Sequence, residues 1–156
     1  MKNTVVNPQL YNSIDDCSIK IKKLFKEFFT EIGIIFKNHE KFYPKPEIPW
    51  DQQLSSAQLI IEISPIKSII KHYKDKILVH KKYILQRNEV FFLDKDELYL
   101  HVPNDTNAFI KELFRKKKIE GGLSNKTREI LWDYMESILL LIEKYIELKK
   151  ILKKNK

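Results

Sequence analysis

From Ile14 onward the apolar positions fall at alternating three- and four-residue steps: Ile14, Cys17, Ile21, Leu24, Phe28, Ile32 and Ile35. That spacing is one face of an α-helix. Phe25, Phe29 and Phe36 widen the stripe, while Lys20, Lys22, Lys23 and Lys26 fall mostly elsewhere. Ser13 is placed to cap the helix, with Asp15 and Asp16 favourable in its first turn. The pattern predicts a helix over 14–37. The stretch "NHEKFYPKPEIPWDQQLSS" then breaks the period, and Pro44, Pro46 and Pro49 favour an extended polyproline strap. Phe42, Tyr43 and Trp50 flank the prolines, so the strap is expected to lie across the bundle; alternatively, Tyr43 and Trp50 are partner contacts.

"AQLIIEIS" reads as a short helix or a strand. Ser64-Pro65 then reads as a cap and first helical position. Ile66, Ile69, Ile70, Tyr73, Ile77, Ile84 and Phe91 keep one phase, and the doublets Ile77-Leu78, Ile84-Leu85 and Phe91-Phe92 recur every seven residues. This predicts one long helix from about 65 to 93. The competing reading is a short hairpin near 89–102, with "EVFFL" and "ELYLHV" paired around "DKD". A third helix, capped by Asn104 or Asp105, carries Phe109, Ile110, Leu113 and Phe114 and ends in "RKKKIEGG", basic residues and then glycine. A fourth begins at Ser124 or Asn125, carries Leu131, Met135, Ile138, Ile142, Tyr145 and Leu152, and ends near 152. The expected fold is mainly α: a single domain over 1–156, built as a bundle of about four helices with a Pro-rich connecting strap. Residues 1–12 and 153–156 are expected as frayed termini. Helices this amphipathic must bury a face.

Composition fits that picture. The 156 residues are 43% hydrophobic and 12% aromatic, with only three Gly. Wholesale disorder and a many-turned β fold are both disfavoured. Charge adds a question. The net charge is +8, and of 29 basic residues 26 are Lys and three are Arg: Arg87, Arg115 and Arg128. A basic chain attracts polyanions, but lysine is a point charge without the guanidinium fork that reads guanine. An excess of this kind supports nonspecific phosphate contact. It is also what an AT-rich genome produces, since Lys, Ile and Asn fill 57 of the 156 positions and Ala only two. A single cysteine, Cys17, excludes an internal disulfide and fits a reducing, intracellular setting. The first residues, "MKNTVVNPQLYNS", hold no apolar run of signal length. No stretch reaches about 18 apolar residues, so no membrane span is expected.

Candidate chemistry is sparse. His39, His72, His80 and His101 lack the paired spacing of a zinc site. Cys17 lies near the expected helix start, where a dipole can lower a thiol pKa, but Asp15 and Asp16 oppose that. "EGGLSNKT" superficially resembles a phosphate loop, yet its diglycine lies too near Lys126-Thr127, and the residues before it look helical. No metal or cofactor is expected, nor is enzymatic activity. Two lysine clusters remain as candidate polyanion contacts: Arg115, Lys116, Lys117 and Lys118, and the tail Lys149, Lys150, Lys153 and Lys154. The first also reads as cations complementing a helix C-terminus, and the tail as a frayed end open to nucleic acid or a membrane.

In "NAFIKELF" through "LSNKTREILWDYMESILLLIEKY", an aromatic-bearing helix and a short loop lead to Lys126, Thr127, Ile130, Trp132, Tyr134 and Met135. The pattern resembles small uncharacterised helical proteins of nucleocytoplasmic large DNA viruses, the mimivirus-like ones especially. Met135 departs from the leucine that the resemblance would place there. It implies a viral protein of the host cytoplasm or virion, with the nucleus as an alternative, and no catalytic residue. The expected function is therefore a non-enzymatic protein-interaction or structural role, through a protein partner or self-association. The alternative is a Lys-rich nucleic-acid-binding accessory acting through nonspecific phosphate contacts.

Overall fold

The structure, a computed structural model, describes residues 8–39, 41, 45, 47–94, 111, 114–115 and 122–154. Its described elements are α1 (Pro8–His39), α2 (Trp50–Ile63), α3 (Ile66–Lys76), a 3-10 turn (Leu78–His80), α4 (Lys81–Leu85), α5 (Glu89–Asp94) and α6 (Asn125–Lys154). The chain is mainly α, a helical bundle in which four helices exceed ten residues, and no strand occurs among the described residues.

The first helix starts earlier than its predicted cap. Pro8 takes the first helical position, where its missing N–H costs nothing. Leu10 is buried and carries the stripe one turn upstream of Ile14. Residues 8–12, expected to fray, are therefore helix, and at the other end α6 runs through Lys153 and Lys154. With 32 and 30 residues, α1 and α6 are each about 45 Å long. They run antiparallel: Phe28 meets Tyr134 with ring centroids 5.9 Å apart, while Tyr145, three turns further along α6, lies beside Asp15 and Ser18. Their stripes form the centre of one core with Leu54, Ala57, Ile61, Ile69, Tyr73, Ile77 and Ile84. Each side chain of that size contributes about 1.5–3 kcal/mol when fully buried.

The strap is shorter than expected, because helix resumes at Trp50 and "WDQQLSS" belongs to α2. Proline forbids helix only upstream of itself; Pro49 occupies the N-cap with φ −52° and ψ 145°. Buried Gln53 donates from Nε2 to the Ile48 carbonyl at 2.7 Å, satisfying its amide and fixing the entry into α2. The open reading of "AQLIIEIS" resolves as helix. Helix α2 lies antiparallel on α1. Trp50 sits on Phe36 at 4.8 Å, Gln58 reaches the Lys26 carbonyl, and Lys26 pairs with Glu62 at 3.4 Å. Midway, a Cβ on Gly33 would come within 3.2 Å of Leu54 Cδ1, so glycine permits the close seating of the two helices there. Ser64 closes α2 instead of capping its successor: its N–H and its hydroxyl both donate to the Ile60 carbonyl. Pro65 takes the N-cap of α3.

The single helix predicted over 65–93 is a correction. The chain there is four short pieces, α3, the 3-10 turn, α4 and α5. At the end of α4 the N–H of Arg87 donates to the Ile84 carbonyl and that of Asn88 to the Tyr83 carbonyl, both at 3.0 Å. These two bonds are the Schellman termination, and its left-handed position, usually glycine, holds Arg87 at φ 51°. Asn88 then caps α5, its Oδ1 accepting the Phe91 N–H at 3.0 Å. The heptad doublets survive as facing alone: Ile77 and Ile84 are buried although the helix between them is broken. Residues 89–94 are helical, which removes the first strand of the alternative hairpin; 95–102 lie outside the described residues. Most of the predicted third helix also lies outside them; Lys111, Phe114 and Arg115 have helical backbone.

Candidate functional site

The arginine ion pairs among the described residues all converge on α6, so its start sets their geometry. Ser124 caps the helix as expected: its Oγ accepts the Thr127 N–H at 3.2 Å. One turn on, Arg128 reaches three separate segments. Nη1 pairs with Glu89 of α5 at 2.8 Å, Nη2 donates to the Phe114 carbonyl at 2.9 Å, and Nε donates to the Leu123 carbonyl at 3.3 Å. Its guanidinium also lies 5.5 Å from the centroid of the Phe114 ring. Arg87 approaches the same helix from α4 and meets carboxylates spaced for one helix face. Its partners are Glu129, Asp133 at 2.6 Å and Glu136 at 3.1 Å. Hydrogen bonds to Asp133 and then Glu136 hold its guanidinium above its ordinary pKa. Further along, Lys81 pairs with Glu143 at 2.7 Å. Two of the three arginines are thus fasteners between helices, as is Lys22, whose Nζ donates to the carbonyls of Glu62 and Ser64 at the end of α2.

The residues expected to contact polyanions or a partner do not form one site. Arg115 is exposed beside Phe114, near the start of α6. Lys116, Lys117 and Lys118 lie outside the described residues, as does Tyr43. The tail group stands at the far end of α6, about 30 Å from Arg128 at helical rise. There Lys149 lies over the Tyr145 ring, Lys150 pairs with Glu147 at 3.4 Å, and Lys153 and Lys154 are exposed in the last turn. Trp50 faces Phe36 within the bundle.

Several titratable groups are packed within or against the bundle. Cys17 is buried ten residues into α1, beyond the reach of the helix start that would have activated it. His39 donates from Nδ1 to the Ile35 carbonyl at 2.8 Å, and His80 lies against Phe91. Among the described residues no three His, Cys, Asp or Glu side chains gather as metal ligands. Burial raises the pKa of Tyr73, which meets Phe25 edge-on at 5.9 Å. Tyr134 and Tyr145 are raised by burial first, and then by Glu27 and Glu31 in one case and Asp15 in the other. No described helix is long and apolar enough to cross a membrane.

Two surface features escaped the sequence reading. Lys67, Lys71 and Lys74 share the outer side of α3, all exposed. Their spacing of four and three residues was readable once α3 was known to be a short helix with its other face buried. The outer side of α2 carries Gln52, Ser55, Ser56, Leu59 and Ile63 and no basic residue, with the exposed carboxylates Asp51 and Glu62 along one edge; its signal is the absence of lysine from "WDQQLSSAQLIIEI". The "SNKTREILWDYM" pattern proves to be cap and packing. Trp132 is only 2% exposed, and Met135 is buried. No protein-family model, curated protein or solved structure matches the chain.

Proposed function

We propose that the chain is a non-enzymatic interaction or structural protein, and that the outer face of α2 is the surface it offers to a protein partner or to a second copy of itself. The supporting observation is the lysine-free strip. A chain with 26 lysines places none in the 14 residues of α2, and Leu59 and Ile63, one turn apart on its outer side, are 55% and 69% exposed. Lysine depletion around exposed apolar side chains is one mark of an interface, and Asp51 and Glu62 supply a polar edge to it. The kinship with small proteins of large DNA viruses, and a place in the host cytoplasm or virion, belong to the same proposal.

The test pairs light scattering with affinity capture, using wild type and a Leu59→Lys, Ile63→Lys variant. Wild type should self-associate or retain a partner at high salt, and the variant should lose that contact with its thermal melt unchanged. A wild-type monomer whose captured proteins are the same as the variant's overturns the reading.

A further inference from the structure

The lysines divide by use. Lys22 closes α2, Lys26, Lys81 and Lys150 pair with glutamates, and Lys82 and Lys149 lie over tyrosines. Lys67, Lys71 and Lys74 do none of these things: they have neither a hydrogen bond nor an ion pair among the described residues. They stand on one side of an 11-residue helix whose opposite side, Ile69, Ile70 and Tyr73, is buried in the core. Asp75, the only carboxylate of α3, is exposed four residues after Lys71 on the same side and bounds the cationic row at its C-terminal end.

We infer that the outer face of α3 is a contact surface for the phosphate backbone of duplex nucleic acid, with Lys67, Lys71 and Lys74 as its cationic groups. From Lys67 to Lys74 the helix rises about 10 Å, and one strand of a duplex presents a phosphate about every 3.4 Å along its axis, so the row spans about three phosphates. An anionic membrane is the poorer match. A helix lying on lipid inserts its apolar face, whereas that face of α3 is already used in the core. Lysine at all three positions predicts grip without base readout. This surface is separate from the α2 face and does not depend on it.

The experiment is anisotropy titration of a fluorescent duplex of arbitrary sequence between about 50 and 200 mM salt. Compared are wild type, a Lys67→Gln, Lys71→Gln, Lys74→Gln triple variant, a Lys71→Gln single variant, and a Lys153→Gln, Lys154→Gln control. Each phosphate contact contributes about 0.9 to the slope of log affinity against log salt. The triple variant should therefore lose up to about 2.7 of the wild-type slope and the single variant about 0.9, with melting curves unchanged and the tail control retaining the full slope. Absence of wild-type binding at the lowest salt overturns the proposal, as does a slope shared by wild type and the triple variant. So does a triple variant that keeps duplex binding while losing only its affinity for vesicles containing phosphatidylserine.

Discussion

The α1–α6 pair and the segment from Ser64 to Asp94 have nearly the same hydrophobic rhythm, yet one is two long helices and the other four short pieces. In the pair, the two stripes face each other over about three turns, from Phe28 at Tyr134 to Ser18 beside Tyr145. In the segment, Ile77 and Ile84 face inward while Val79 and Leu85 are exposed, 66% and 41% respectively, so α4 and the 3-10 turn before it have a narrow buried edge. Periodicity thus reports which way residues face. Continuity depends on what the backbone does between them, and here Arg87 and Asn88 end one helix and begin the next.

The largest effect that can test this contrast lies in the pair. Trp132→Ala should cost about 3–5 kcal/mol in chemical denaturation, since the closely packed α6 cannot collapse into the cavity. Ile84→Ala should cost about 2 kcal/mol, because a five-residue helix can shift to fill space; equal costs for the two would erase the distinction between the regions. Arg87 sharpens it further. Arg87→Ala leaves an unfavourable left-handed residue and removes three partly exposed ion pairs, for a loss of about 1–2 kcal/mol. Arg87→Gly loses the same pairs but relieves the backbone, so it should be less destabilised than the alanine variant by about 0.5–1 kcal/mol. A glycine variant no better than alanine would mean the left-handed position is not strained. The smallest effect concerns pH. Tyr73 is held above its ordinary value of 10.0 by burial, so the folded state keeps a proton that the unfolded state releases. Stability from this source is intact below pH 10 and falls as pH rises beyond it. Tyr73→Phe should flatten part of that alkaline loss in melts across the range, and an unaltered pH profile would contradict the assignment.

The sequence made the fold class legible because α1 and α6 bury uninterrupted stripes, and Ser124 announces its helix in the expected place. The break at Arg87 was hidden because a Schellman stop is read from glycine, and here an arginine fills it with its side chain held by three carboxylates from a distant helix. The strap was overextended because proline marks where helix cannot be, not where it resumes. The candidate sites were legible only where lysines run together in sequence. Lys67, Lys71 and Lys74 are scattered in the linear chain and become neighbours through helical winding, while the α2 face is defined by the lysines it lacks.

Cys17 gives the molecule a built-in clock. It is the sole thiol of the chain, and it is buried in the α1 stripe at the level where α1 meets Tyr145. A thiol reagent can reach it only when that part of the bundle opens, so the labelling rate in native buffer reads the opening equilibrium directly. Compared with the global unfolding free energy, that rate distinguishes a bundle that opens at one end from one that opens only as a whole.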